Sequence, residues 1–233
     1  MDKIRLIEVR EEILSDNRDL AGQIRKDLLR KWVFMLNLMS SPGAGKTSLV
    51  LRTIDALASA FRIAVIEGDI DSMVDSEKVA ARGIPVVQIR TGSACHLDAP
   101  MVEKALEQLN LETLDLVLIE NVGNLVCPAE FDTGETKKAM ILSVPEGDDK
   151  PLKYPLMFSV CHAVVVNKMD CLGLFDFSLE AFEERVRKLN PGVPIFPLSC
   201  RTGEGVASWV DWLRKEIGAG FRGTGSARRS PKD

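Results

Sequence analysis

The run Val33-Phe-Met-Leu-Asn-Leu-Met39 passes directly into Ser40-Ser-Pro-Gly-Ala-Gly-Lys-Thr47. An apolar stretch of strand length, a glycine loop and a Lys-Thr pair, in that order, read as a strand, a phosphate-binding loop and the opening of a helix. Gly43 and Gly45 let backbone N–H groups turn toward phosphate oxygens, and the helix that follows presents its positive end. Lys46 is placed to reach β- and γ-phosphates and Thr47 to offer its hydroxyl to Mg²⁺, with Ala44 and Ser48 completing the cradle. Leu49, Val50, Ile54 and Leu57 continue the helix at helical spacing. The pattern ordinarily opens on glycine; Ser40 stands there, so a less permissive first turn is expected.

The chain has 233 residues, 45% of them hydrophobic, enough for one enzyme-sized core. A net charge of −4 with no basic stripe excludes a nucleic-acid partner. Five cysteines without a regular framework, and a charged start (Met1-Asp-Lys-Ile-Arg5) with no apolar signal region, predict a cytoplasmic protein. No apolar run is long enough to cross a bilayer, so no membrane association is expected.

Strands are predicted at 33–39, 62–67, 84–90, 115–120, 139–144, 162–167 and 193–197, and helices at 46–58, 98–109, 178–189 and 204–217. Val, Ile and Leu dominate the strands, as in strands buried on both faces. The alternation predicts an α/β P-loop NTPase with a mostly parallel sheet covered by helices on both sides, ligands binding beyond the strands' carboxyl ends. Residues 8–31 read as a charged amphipathic helix, with Ile13, Leu20 and Ile24 facing inward over a sheet face or edge. The expected organisation is a helical extension over 1–31, a P-loop domain over 32–217 and a glycine- and serine-rich disordered tail over 218–233.

A second motif, Asn167-Lys168-Met169-Asp170, follows the strand Ala163-Val-Val-Val. An aspartate there accepts hydrogen bonds from the ring N–H and exocyclic amine of guanine; adenine has no matching donor pair and would leave the carboxylate unpaired. Ser199-Cys200-Arg201 resembles the Ser-Ala-Lys loop of GTPases, with Ser199 and the Cys200 backbone as base contacts. The reading is therefore GTP, with Asn167, Lys168 and Asp170 selecting the base.

Two strand ends supply carboxylates: Glu67-Gly-Asp69-Ile-Asp71, with Asp75 in the same loop, and Glu120-Asn-Val-Gly123. Asp69, Thr47 and Glu120 are the expected Mg²⁺ shell, Asp75 a mobile switch residue, and the Gly123 N–H a γ-phosphate sensor. Lys46, Asp69, Asp75 and Glu120 are the catalytic candidates. No arginine finger is evident, so slow turnover is expected.

Thr91-Gly-Ser-Ala-Cys95-His96 follows one strand, and Cys127-Pro128 lies just past Gly123. Two thiolates and an imidazole suit Zn²⁺, Ni²⁺ or Cu⁺, but the spacing is not that of a zinc finger, and packing roles stay open on the residues alone. Adjacent Cys95 and His96 are expected to diverge in extended backbone, leaving one protomer short of a closed ligand shell. Cys161-His162 enters a strand without a partner and reads as packing; Cys171 and Cys200 read as small apolar fillers.

Taken together, Ser-Ser-Pro-Gly-Ala-Gly-Lys-Thr, Glu-Gly-Asp, Thr-Gly-x-x-Cys-His-Leu-Asp-Ala, Glu-Asn-Val-Gly-Asn-Leu-Val-Cys-Pro, Asp-Lys-Pro-Leu-Lys-Tyr-Pro and Asn-Lys-x-Asp resemble the HypB family, the hydrogenase nickel-incorporation GTPases. The resemblance spans roughly residues 5–217. It implies a GTP-hydrolysing metallochaperone that helps insert nickel into the large-subunit precursor of NiFe hydrogenase. It also implies that Cys95, His96 and Cys127 hold Ni²⁺ or Zn²⁺ at the interface of a nucleotide-dependent homodimer. Residues 1–31 carry neither cysteine nor histidine, unlike relatives that store nickel there, so a separate nickel-binding accessory protein is expected. Two alternatives remain: a urease-type nickel accessory GTPase, whose metal motif is a Cys-Pro-His unit, and a nucleotide-gated interaction protein with structural cysteines.

Overall fold

The computed structural model describes residues 9–220, and their side chains from residue 14. In chain order the elements are α1 (Val9–Arg30), β1 (Phe34–Ser40), α2 (Lys46–Leu57), β2 (Ile63–Asp69), α3 (Val74–Ala80), β3 (Val86–Arg90), α4 (Ala99–Leu106) and β4 (Leu116–Glu120). There follow α5 (Cys127–Glu130), β5 (Lys137–Ser143), α6 (Lys150–Lys153), α7 (Pro155–Val160), β6 (Ala163–Asn167), α8 (Leu179–Leu189), β7 (Ile195–Pro197) and α9 (Val206–Gly220).

The strands form one seven-stranded sheet in the order β3-β2-β4-β1-β5-β6-β7, and every pairing is parallel. Side chains alternate across a strand, so β1 feeds both faces: Phe34, Leu36 and Leu38 join a core under α2 and α9 with Leu49, Ile54, Trp209 and Leu213, while Met35 joins a core under α1 and α4 with Ile66 and Ile119. A third cluster packs Met39, Met140 and Val164 against Phe158 of α7 and Phe182 of α8. Helix α1 lies over the second core through Ala21, Ile24 and Leu28, with Leu20 partly buried beside them. The inward assignment of Ile13 falls outside the described side chains.

Because all strands point the same way, the loops that follow β1, β2, β3, β4, β6 and β7 gather at one carboxyl edge. Several boundaries differ from the sequence reading. Asp75 sits in the first turn of α3, not in a loop, because Asp75 and Glu77 favour the positive helix end. The predicted helix 98–109 is shorter, starting at Ala99 after Asp98 caps it by accepting from the Met101 N–H (2.9 Å). Helix α9 continues to Gly220, three residues into the span read as tail; residues 221–233 lie outside the described ones. The short α5, α6 and α7 were not predicted, each being too brief to display an apolar period.

Candidate functional site

The phosphate loop turns on Gly43 (φ 77°) and Gly45 (φ 101°), conformations a side chain would strain. A Cβ at Gly45 would also fall 2.3 Å from Asn167 Nδ2, so glycine lets the loop and the base motif close on each other. Ser40 corrects the expectation of a stiff first turn. It is the last residue of β1, fully buried, and has no positive φ for glycine to relieve. Its hydroxyl accepts from Lys46 Nζ (3.0 Å) and donates to the Ser41 carbonyl (2.6 Å). Serine thus gives the buried ammonium a partner. Burial pushes the Lys46 pKa down, against Glu120 and Glu67, which raise it.

A cavity of about 420 Å³ opens over this loop, lined by Lys46, Thr47, Glu67, Asp69, Asp75, Glu120 and Gly123 among others. Thr47 Oγ1 donates to Glu120 Oε1 (2.8 Å). Carboxylate oxygens of Glu67, Asp75 and Glu120 lie within 4.8 Å of one another, and Glu67 Oε2 and Glu120 Oε2 are buried without a hydrogen-bond partner. Burial first, and then the charges of Glu120 and Asp75, push Glu67 up to about 10, against Lys46; burial, with the charge of Asp75, also raises Glu120, against Lys46 and its hydrogen bonds with Thr47 and Glu67. Buried orphan oxygens converging beside a threonine hydroxyl fit a hard divalent cation such as Mg²⁺. Glu67, which sequence reasoning passed over, joins this cluster; Asp69 lines the same cavity, with its Oδ1 accepting from the N–H groups of Asp71 (2.9 Å) and Ser72 (2.6 Å).

The base end is a second cavity, about 650 Å³, lined by Gly45, Ser48, Asn167, Lys168, Asp170, Cys171, Leu174, Cys200 and Arg201. Asn167 ties three loops together: Nδ2 donates to the Ala44 carbonyl (2.9 Å) and Oδ1 accepts from the Cys200 N–H (3.0 Å). Lys168, held at φ 61°, donates to the Gly43 carbonyl (2.7 Å). Asp170 accepts from Ser199 Oγ (2.5 Å) and Arg201 Nε (2.7 Å), which hold its carboxyl below the usual range. Arg52 of α2 fixes the loop from behind, donating to the carbonyls of Cys200 (2.8 Å) and Arg201 (3.0 Å). Cys171 is more than filler, since it borders this cavity with Sγ 3.7 Å from Asp170 Oδ2.

Past β3 and β4 the structure brings Cys95, His96 and Cys127 together, their ligand atoms within 4.8 Å of one another. Cys95 Sγ is 3.0 Å from Cys127 Sγ and 3.9 Å from His96 Nδ1. The expected divergence of Cys95 and His96 does not occur because the backbone turns after β3, where the Ala94 N–H bonds the Thr91 carbonyl (3.1 Å). His96 stacks on Phe131, and burial pushes its pKa down, keeping the ring neutral and able to ligate. The Cys127 thiol is pushed up by its hydrogen bond with Cys95 and by burial. Cys161 and His162 lie before β6, at the opposite edge: Cys161 is buried with Sγ donating to the Phe158 carbonyl (3.2 Å), and His162 Nδ1 accepts from the Lys138 N–H (3.0 Å).

The two sites share a loop. The Asn124 N–H donates to the Ser40 carbonyl (2.8 Å) and its side chain to the Cys95 carbonyl (3.2 Å). Asn121 Oδ1 accepts from both Leu97 N–H (3.1 Å) and Val122 N–H (2.9 Å). Gly123 passes so close to Pro42 that a Cβ would lie 2.9 Å from its ring and backbone nitrogen.

Residues 34–197 match the model of the CobW/HypB/UreG nucleotide-binding domain. The hydrogenase maturation factor HypB of Azotobacter chroococcum mcd 1 is 45% identical over 232 residues, covering 99% of this chain and 75% of that protein. HypB of Escherichia coli (strain K12) is 42% identical over 216 residues, 93% of this chain and 74% of that protein. The crystal structure of HypB from Helicobacter pylori in complex with nickel has the same fold, with a TM-score of 0.84 at 37% identity, over 91% of this chain and 100% of that one. With the phosphate loop, the base motif and the Cys-His-Cys cluster in these positions, the chain belongs to the HypB family of hydrogenase maturation factors.

Proposed function

We propose that this chain hydrolyses GTP to GDP and phosphate and uses the change of nucleotide to hold and release a nickel ion destined for NiFe hydrogenase. The observation that carries the reading is the single loop joining both sites. It begins at Glu120, bonded to Thr47, and ends at Cys127, 3.0 Å from Cys95. Whatever moves one end of so short a loop acts on the other, and the coupling of GTP and metal binding is then reciprocal.

On this reading Lys46 leaves Ser40 Oγ for the β- and γ-phosphate oxygens, and the Gly123 N–H senses the γ-phosphate. Thr47, Glu67, Asp75 and Glu120 would hold Mg²⁺, which when bound neutralises charge on the phosphates. Asp170 and Asn167 fix the guanine.

Nickel is cargo here, and Cys95, His96 and Cys127 are its ligands; the same donors accept Zn²⁺. Three ligands from one chain leave a tetrahedral or square-planar shell open, and a GTP-dependent two-fold homodimer closes it. The partners follow from the role: a nickel-binding accessory protein as donor and the hydrogenase large-subunit precursor as recipient, in the cytoplasm, with α1 an extension on a GTPase domain over 32–217. No described helix is long and apolar enough to cross a membrane.

The test is paired GTP hydrolysis and Ni²⁺ titration of the purified protein and of Cys95→Ala and Cys127→Ala. Each variant is expected to lose Ni²⁺ binding and to lose the effect of Ni²⁺ on GTP turnover. Unaltered Ni²⁺ binding by both variants sinks the reading.

A further inference from the structure

The carboxylate that reads the base is already engaged by this chain's own guanidinium. Arg201 Nε donates to Asp170 Oδ2 (2.7 Å), while Ser199 Oγ takes Oδ1. Asp170 and Arg201 both line the base cavity of about 650 Å³. The aspartate side chain is only 10% exposed and the arginine side chain 79% exposed, so Arg201 reaches in from solvent to a carboxylate set in the cavity wall.

The chemistry of the two donors is alike. Guanine presents its ring N–H and its amine from one carbon, a guanidine unit embedded in a ring; arginine presents the same N–C–N donor edge with a full charge. A carboxylate accepts parallel N–H bonds from either. Both cannot occupy the cavity face of Asp170.

We propose that Arg201 is an internal stand-in for guanine: it occupies Asp170 in the nucleotide-free protein, leaves when the base enters, and thereby sets the affinity and rate of nucleotide entry. The proposal rests on the guanine reading of Asp170. The loop is built so that the side chain can leave without the backbone. The Arg201 and Cys200 carbonyls are held by Arg52, and the Cys200 N–H by Asn167, none of which involves the Arg201 guanidinium. While Arg201 is docked it also covers a depressed carboxylate that would otherwise face solvent charged. The competent fraction of base sites is reduced by the docked population, and apparent affinity falls with that fraction.

The experiment measures equilibrium binding of GDP and ADP, and stopped-flow association of N-methylanthraniloyl-GDP, for the unaltered protein, Arg201→Ala and Arg201→Lys. The expected result is GDP binding tighter by about three- to tenfold in Arg201→Ala, carried by faster association, with Arg201→Lys between the two. Preference for GDP over ADP is expected to persist in all three, since Asp170 is retained. An unaltered protein that prefers GDP, paired with an Arg201→Ala variant that binds GDP equally or more weakly, overturns the proposal and makes Arg201 a brace. Equal binding of GDP and ADP by the unaltered protein overturns the guanine reading, and the proposal with it.

Discussion

Glu67 and Glu120 stand opposite each other in the register of β2 and β4, and each ends in a buried oxygen without a hydrogen-bond partner. Neighbouring residues in parallel strands send side chains to the same face, so two carboxyls share one buried pocket beside Lys46, where burial disfavours their ionised forms. Such a pair destabilises the metal-free protein and is relieved by a cation.

Glu67→Gln is therefore expected to lower kcat for GTP by about a hundredfold while raising the melting temperature of the metal-free protein. Asp69→Asn, whose parent carboxylate caps its own loop, is expected to change kcat by less than about threefold. Steady-state hydrolysis at several Mg²⁺ concentrations, with thermal melts in a chelator, checks both; a larger loss in Asp69→Asn would return the cation to the residue that sequence alone favours.

At the other end of the nucleotide, Asp170→Asn exchanges two acceptor oxygens for one acceptor and one donor. GTP affinity is expected to fall by about a hundredfold or more, and xanthosine triphosphate, which carries a carbonyl where guanine carries an amine, to bind in its place. Competition titration of the two nucleotides decides it.

Metal capture depends on pH with a definite sign. Cys127 is raised above the ordinary thiol value by its hydrogen bond with Cys95 and by burial, so its thiol carries a proton near neutrality that it must lose to ligate. Ni²⁺ affinity is expected to climb as pH rises toward the thiol range, by up to about tenfold per unit for each thiol, and to drop correspondingly on acidification. A flat profile between pH 6 and pH 8 would show that the thiols are not ligands.

Gly123→Ala tests the contact between loops. Its Cβ would press on the Pro42 ring and backbone, a clash expected to destabilise by about 1–3 kcal/mol and to weaken GTP binding more than GDP binding. Thermal melts and nucleotide titrations read the two effects separately, and equal loss for GTP and GDP argues against γ-phosphate sensing.

Assembly gives a fifth handle. In sedimentation, a non-hydrolysable GTP analogue with Ni²⁺ is expected to favour a dimer over GDP without metal. Identical monomer fractions in all four combinations would leave the cluster a site without a switch.

The fold was legible because β1, β2, β4 and β6 are apolar runs ended by distinctive loops, and β1 with Gly43–Thr47 marks the direction of the first. Asp75 was misplaced because α3 spans only 7 residues, too few for a helical period to emerge. Glu67 was not among the candidates for a different reason. Its partner Glu120 is distant in sequence, and only strand order reveals that β2 and β4 are neighbours; the signal available was its place at the end of a buried strand, where a carboxylate requires explanation. The convergence of Cys95 with His96 likewise depended on a turn that the sequence Thr-Gly-Ser-Ala hints at through its glycine alone.

In the order β3-β2-β4-β1-β5-β6-β7, the strand bearing the phosphate loop is central, the base motif leaves β6 on one flank, and the thiol-bearing loops leave β3 and β4 on the other. The arrangement separates inheritance as well as space. On the proposed reading, substitutions on one flank would alter which nucleotide is admitted, and those on the other which ion is held, with β1 as the fixed midline. Base selectivity and ion selectivity would then be separately adjustable, while the loop from Glu120 to Cys127 beside β1 keeps the two sites in step.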